Sequence, residues 1–156
     1  MVREWRKRDA AVDAATVRDT DCGAPADALA QHRDQPHASS VQRAAELATV
    51  EQPGPHGGPG PTVAWPYFAD AAGLPFVFRK RVLRKGAGIG LHLHDKDEVY
   101  YVLSGQGTFV LDGQAHRVGP GDAMLTRTGS THALQLVGEG DLEILIVYPV
   151  TTEQGR

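Results

Sequence analysis

The stretch "GLHLHDKDEVYYVLSG", residues 90–105, alternates apolar and polar residues as a half-buried strand does, and it ends on a glycine. Its polar positions are unusual, because His92, His94 and Glu98 stand where a barrel strand would hide leucines. Residues i and i+2 of a strand point to the same face, about 7 Å apart, so the two histidines project side by side. The polar break "DKD" can turn the chain, and an antiparallel return then brings Glu98 beside them. The stretch therefore predicts a His/His/Glu group on an inward face.

The rest of the chain from Thr62 onward also has β character. Short runs rich in Val, Ile, Leu, Phe and Tyr are separated by turn residues, including "DG" at 112–113 and "GPGD" at 119–122. No helical run lies between them, which argues against a parallel α/β sheet. The pattern predicts an all-β fold, an antiparallel sandwich or barrel. The predicted strands are 75–83, 89–94, 98–103, 107–111, 114–118, 123–127, 132–137 and 142–150.

The N-terminal part has a different composition. Residues 1–52 are rich in Ala, Asp, Arg and Gln, and residues 40–50 could form a short helix with a thin apolar face. Residues 53–61, "PGPHGGPGP", favour a linker or an extended arm. We therefore predict a flexible, mostly irregular N-terminal extension over 1–61 and a barrel over 62–156.

Bulk composition excludes several classes of protein. The 156 residues suit one domain with an extra segment. The net charge of −3 gives no basic field for nucleic acid, and the short cluster Arg3, Arg6, Lys7 and Arg8 is typical of a solvated tail. A single cysteine, Cys22, excludes an intrachain disulfide framework. No apolar run has the length of a membrane span and no secretory signal begins the chain, so we expect a cytoplasmic protein.

A further histidine, His132, begins a later predicted strand after "TRTGST". With His92, His94 and Glu98 it gives three imidazoles and one carboxylate on facing strands. Imidazole suits Zn, Cu, Fe and Ni, and carboxylate extends the range toward Mn. Four protein ligands leave two positions of an octahedral sphere open, and a closed structural zinc site would often carry cysteine. The set predicts an open, functional metal site.

The chain here resembles the cupins. Their first motif is G, five residues, H-x-H, three or four residues, E, six residues, G. This spacing is met by Gly86, His92, His94, Glu98 and Gly105.

The second cupin motif is G, five residues, P-x-G, two residues, H, three residues, N. Gly121, Gly129 and His132 match it, whereas Arg127 replaces the Pro and Leu136 replaces the Asn. We expect Leu136 to alter packing only. Arg127 is either solvent-facing or an anion contact for a carboxylate substrate.

The resemblance, over roughly residues 62–150, implies a jelly-roll barrel, a double-stranded β-helix, with one divalent transition metal per chain. That metal would be Fe(II), Mn(II), Ni(II) or Zn(II), held by His92, His94, Glu98 and His132. It also implies a small-molecule metalloenzyme, for which we favour a mononuclear dioxygenase or related oxidoreductase. The alternatives are a redox-neutral lyase or isomerase acting on a sugar or organic acid, and a non-catalytic small-ligand-binding protein. A homodimer is expected from the same resemblance.

Three further side chains could act near such a metal. Tyr100 shares the inward face of Glu98, where it is either a lining residue or a catalytic acid or base. Arg79 and Arg81 share one face of their strand, so they either line the cavity or mark a charged edge strand, which we favour. His32, His37 and His56 lie in the predicted flexible segment and are poor ligand candidates.

Overall fold

The computed structural model describes residues 39–150 of the chain, and their regular structure is almost entirely β. All eight strands predicted from the sequence are present, with ends shifted by one residue at most, and two more precede them. The strands are β1 (Val50–Pro53), β2 (Pro61–Tyr67), β3 (Phe76–Leu83), β4 (Gly88–Leu93), β5 (Glu98–Ser104), β6 (Gly107–Leu111), β7 (Gln114–Val118), β8 (Ala123–Thr126), β9 (Thr131–Leu136) and β10 (Leu142–Pro149). One short 3-10 turn, Pro55–Gly57, lies between β1 and β2.

The strands form two antiparallel sheets in the order β1-β2-β3-β10-β5-β8 and β4-β9-β6-β7. This arrangement is a jelly-roll barrel, and the predicted fold class is confirmed. Alternate residues of both sheets point inward and pack as a single apolar core. That core consists of Leu83, Ala87, Ile89, Tyr100, Val102, Phe109, Val118, Met124, Leu134, Leu136, Leu142, Ile144 and Ile146. Leu136, which replaces the Asn of the motif, is therefore a packing residue, as expected.

The structure corrects the prediction of a helix over residues 40–50. Residues 44–46 form a turn, and the strand β1 begins at Val50. Most side chains of the segment are exposed, Val41 by 85%, and only Leu47 is half-buried. A short amphipathic helix needs tertiary packing to be stable, so its absence follows from the thin apolar face.

The Pro/Gly run 53–61 is also more ordered than predicted. Gly54 N donates to the Gly60 carbonyl at 2.8 Å, and Gly88 N donates to the Pro59 carbonyl at 2.9 Å, which ties the run to β4. A Cβ on Gly58 would lie only 2.2 Å from the Gly88 carbonyl oxygen. The glycines therefore allow close backbone approach rather than flexibility. We call residues 53–61 the arm. The proposed division of the chain at residue 61 stays a prediction.

The structure contradicts the favoured interpretation of Arg79 and Arg81 as residues of an edge strand. Strand β3 lies inside the six-stranded sheet and pairs with both β2 and β10. Arg81 is opposite Ile144 and Arg79 is opposite Ile146, two residues of the core. Both arginines are thus on the inner face of the sheet.

No helix of the described residues is long and apolar enough to cross a membrane. The predictions about the basic N-terminal cluster, Cys22, His32 and His37 concern positions outside the described residues.

Candidate metal centre

Three strands and one connection bring the predicted ligands together at one end of the barrel. His92 in β4 is directly opposite His132 in β9, after an irregularity in the pairing that follows Ile89. His94 follows the end of β4, and Glu98 begins β5, opposite Thr126 of β8. The sequence predicted that these side chains would converge, and the structure brings them into one group, which we call the His/Glu cluster. Its members are His92, His94, Glu98 and His132.

The donor atoms of the His/Glu cluster are close together. Nε2 of His94 and Nε2 of His132 are 3.1 Å apart, and each is 3.5 Å from Oε2 of Glu98. One possible ligand atom from each of the four residues lies within 4.8 Å of the others. Ligand bonds of about 2.0–2.2 Å would separate neighbouring donors by about 3.0–3.5 Å around a common cation. The spacing therefore fits one divalent ion.

Hydrogen bonds from Nδ1 at the far side of two rings leave their Nε2 atoms without a proton. Nδ1 of His92 donates to the Gly90 carbonyl at 2.8 Å, because a carbonyl only accepts. Nδ1 of His132 lies 2.6 Å from the Thr126 hydroxyl, and we assign Nδ1 as the donor and the hydroxyl as the acceptor. The tautomer of an imidazole ligand is commonly fixed in this way, which orients its other nitrogen toward the metal. Both contacts fit a ligand role for Nε2.

Burial sets the charge states of the cluster. It lowers the pKa of His132 to about 3 and lowers that of His94, and the neighbouring imidazoles add to the effect. Burial raises the pKa of Glu98 to about 7, which a hydrogen bond with Tyr100 partly offsets. Neutral imidazoles are the form that binds metals. Oε2 of Glu98 is buried without a hydrogen-bond partner, so a cation would satisfy it. The residues present therefore fit a divalent transition metal, whose identity the donor set leaves open.

The His/Glu cluster forms part of the wall of a cavity of about 680 Å³. His92, His94 and Glu98 line this cavity, whereas His132 is fully buried behind them. The other chemically active side chains of the lining are Gln52, His56, Arg79, Arg81, Asp95, Lys96, Tyr100 and Tyr148. A small molecule in the cavity could thus reach both the cluster and two guanidinium groups.

Tyr100 points inward, as predicted. Its side chain is buried in the core, and its ring lies 4.9 Å from that of His132 and 6.1 Å from that of Phe109. Burial and the nearby Glu98 raise the pKa of its hydroxyl well above the usual value, so the group keeps its proton. Tyr100 therefore both packs in the core and lines the cavity.

Arg127 is a surface residue. Its Nη1 donates to Oδ2 of Asp97 at 2.5 Å, and the backbone N–H of Thr128 donates to the other oxygen of the same carboxylate at 2.9 Å. Arg127 does not line the cavity. The solvent-facing interpretation of this departure from the motif agrees with the structure. The pair holds the β8–β9 connection against the turn that precedes Glu98.

His56 is not one of the four possible ligands of the His/Glu cluster, but its place beside the cluster was not predicted from the sequence. It lines the cavity, and its ring stacks on that of His92 with centroids 3.5 Å apart. The available signal was the pair of glycines in β4, Gly88 and Gly90, since glycine within a strand often marks close approach of another backbone. For Arg79 and Arg81 the signal was their period-2 spacing, which placed both on one face.

Comparison with known proteins supports the same family. The family model of the cupin domain matches residues 80–148. An oxalate-binding protein of Thermotoga maritima is 36% identical over 72 residues, which are 46% of this chain and 60% of that protein. A dimethylsulfoniopropionate lyase of Ruegeria pomeroyi is 31% identical over 70 residues, 37% of this chain and 35% of the lyase. The matched region thus spans less than two thirds of either relative.

A solved structure matches a larger part of this chain than either of these two relatives does. The crystal structure of a protein from Thermotoga maritima, described as a predicted oxalate decarboxylase, superposes with a TM-score of 0.65 at 28% identity. The match covers 72% of this chain and all of the other.

Proposed function

The chain contains a small domain of the cupin superfamily, and from that premise we propose that it is a metal-dependent enzyme acting on a small organic acid. The observation that carries the proposal is that the His/Glu cluster forms part of the wall of the 680 Å³ cavity. A ligand in that cavity can reach a cation held by the cluster. A structural metal would instead be enclosed by its ligands.

The names of the relatives support an organic acid. Oxalate and dimethylsulfoniopropionate are the compounds in the names of the two curated relatives, and both carry carboxylates. A carboxylate oxygen is a natural ligand for a divalent cation, and the two arginines of the cavity wall favour negative charge. We therefore prefer an organic acid over a sugar.

We further propose that the reaction is a redox-neutral lyase or decarboxylase type. When bound, a divalent metal would act as a Lewis acid that polarises the carboxylate. The chain's own residues supply the rest. The cavity wall binds the acid, and Tyr100 holds its proton beside Glu98, where it can donate to the reacting group. The dioxygenase chemistry first favoured from the sequence stays a prediction without support from a feature of the described cavity.

A second candidate is a non-catalytic carboxylate-binding protein, since the curated relative with the higher identity is called oxalate-binding. It requires the same cation and the same cavity. Only product formation separates it from the enzyme.

The test uses purified protein loaded separately with Fe(II), Mn(II), Ni(II) or Zn(II). Each form is incubated with oxalate and a panel of small carboxylates, in air and under strict anoxia, while loss of acid and consumption of dioxygen are followed. Turnover at full rate under anoxia is the expected result. Turnover that consumes dioxygen would replace the lyase by a dioxygenase. Binding by calorimetry without product would support the second candidate, and neither binding nor turnover would overturn the proposal.

We also propose the homodimer that the family resemblance led us to expect. The outer face of β5 and β8 supports it, because Val99, Tyr101, Leu103 and Leu125 are each more than a third exposed there. Sedimentation equilibrium tests it, and a monomer at high concentration would overturn it.

A further inference from the structure

Arg79 and Arg81 form a charged pair on the inner face of β3, within the same cavity as the His/Glu cluster. We propose that this pair is a second anion-binding subsite, which holds a carboxylate at the end of the ligand remote from the metal. The protein would then select small dicarboxylates over monocarboxylates. This inference rests on the proposed function and adds the part of the ligand that the metal does not hold.

The first argument is the burial of Arg81. The residue is 3% exposed, and its partner on β10 is the core residue Ile144. A buried guanidinium is normally paired with a carboxylate, since removing an unpaired charge from water is costly. No carboxylate among residues 39–150 forms an ion pair with Arg79 or Arg81. The structure thus contains a buried positive charge that has no anionic partner within the described part of the chain.

The second argument is the set of hydrogen bonds that Arg81 does make. Nη1 donates to the Thr62 hydroxyl at 2.8 Å. Gln52, with its amide oxygen turned toward Arg81, accepts from Nη1 at 2.9 Å and from Nη2 at 3.1 Å. Both partners are neutral, and together they use three of the five N–H donors of the guanidinium. The two that remain, Nε–H and one Nη2–H, lie along the same edge of the group. An edge of this kind has the geometry to hold a carboxylate through two parallel hydrogen bonds.

The third argument is the neighbouring Arg79. It lies two residues away on the same face, and its Nε is buried without a partner, as is that of Arg81. Like charges so placed repel, and this repulsion adds to burial in lowering the pKa of Arg81. Tyr100, Tyr148 and Glu98 oppose this lowering of the pKa, but none of the three forms an ion pair with Arg81. Two neighbouring guanidinium groups without an anionic partner in the described part of the chain would stabilise a bound carboxylate.

The class of ligand follows from the two groups that would bind it, a cation at the His/Glu cluster and the pair Arg79 and Arg81. One carboxylate would reach the cation, and a second would lie against Arg81 and Arg79. A volume of about 680 Å³ has room for a short-chain dicarboxylate.

The decisive variant is Gln52→Glu, because it supplies the missing counter-charge without removing an arginine from the core. The introduced carboxylate would accept the same two hydrogen bonds from Arg81 and compete with the ligand carboxylate. Gln114→Glu adds the same charge on the exposed face of β7 and is the matched control. Calorimetry on the Zn(II)-loaded proteins measures the affinities for succinate, oxalate and acetate. Zinc content and the thermal midpoint are measured on the same samples.

We expect Gln52→Glu to weaken binding of both dicarboxylates at least about tenfold, since a charge pair within the cavity is lost. Its acetate affinity, zinc content and thermal midpoint should not fall, and Gln114→Glu should match the wild type throughout. Arg79→Met should weaken dicarboxylate binding in the same direction. Unchanged dicarboxylate affinity in both variants would overturn the subsite while the proposed function stands. A wild-type protein that binds none of the three acids would overturn both.

Discussion

The imidazole of His56 lies flat on the imidazole of His92, with ring centroids 3.5 Å apart and planes inclined by 8°. His56 comes from the Pro55–Gly57 turn of the arm and has left-handed backbone angles, φ 54° and ψ 37°. That conformation is uncommon for a residue other than glycine, so the surrounding contacts must hold it. The arm thus covers one face of a candidate metal ligand.

Replacing His56 by Ala should loosen His92 and weaken metal binding severalfold, because an aromatic stack contributes about 0.5–1.5 kcal/mol. His56→Phe keeps a ring in place and should restore most of the affinity. Competition against a calibrated chelator measures both. His116→Ala, at an exposed position of β7, is the control. Equal affinities for wild type and His56→Ala would contradict a supporting role for the stack.

Gly90 tests whether the arm depends on close backbone approach. A Cβ at this position would lie 2.1 Å from the carbonyl oxygen of His56, so Gly90→Ala must displace the turn. We expect a loss of about 1–3 kcal/mol in the free energy of unfolding, as for other overpacked sites. Gly119→Ala is the matched control, since nothing lies within 4 Å of its Cβ. Denaturant titration compares the two, and a loss of similar size in the control would rule out this account of the arm.

The strands and the His/Glu cluster could be predicted because both depend on local rules. The period-2 alternation fixes which residues face inward, and the spacing of His92, His94 and Glu98 carries the ligand pattern. The arm could not be predicted in the same way. A flexible linker and a segment that packs closely on β4 can have the same proline and glycine content. Only the presence of the partner strand distinguishes them. Interpreting Arg81 required knowing that β3 lies between two other strands, which is a property of the topology.

Thr126→Val removes the hydroxyl that accepts from Nδ1 of His132 while keeping the shape of the side chain. Loss of such a supporting hydrogen bond typically lowers metal affinity by about 10–100-fold. We expect this loss of metal affinity while the fold of the barrel changes little. Thr128→Val, which loses only a surface contact with Asp97, should bind metal as the wild type does. If both variants bound metal equally well, the Thr126 hydroxyl would not orient the ligand.

Metal affinity should fall as the pH is lowered from 8 to 6. Burial raises the pKa of Glu98 to about 7, so below that pH the carboxyl holds a proton that a cation must displace. Burial lowers the pKa of His94 and lowers that of His132 to about 3, so the His132 ring is already neutral in this range. Below pH 7 the loss of metal affinity that is due to protonation of Glu98 should approach about tenfold per pH unit. Calorimetry in buffers of different ionisation enthalpy should detect the released proton.

In the metal-free protein the raised pKa of Glu98 has the opposite pH dependence, because it lowers stability as the pH rises. A carboxyl whose pKa is raised on folding destabilises the native state as the pH rises from its unfolded value through 7. Glu98→Gln should therefore be more stable than the wild type at pH 8 and closer to it at pH 5. Thermal unfolding without metal measures this difference. A stability gap that did not change between the two pH values would contradict the shift.

Tyr100→Phe separates packing from chemistry at the last candidate residue. The ring contacts of Tyr100 with Phe109 and His132 do not need the hydroxyl, so the variant should fold and retain its metal. If the hydroxyl donates a proton to the substrate, turnover of the organic acid should fall by about 10²–10⁴-fold. Ligand affinity should change much less, because the hydroxyl would act in the transition state rather than in binding. Turnover within a factor of a few of the wild type, at equal metal content, would make Tyr100 a lining residue only.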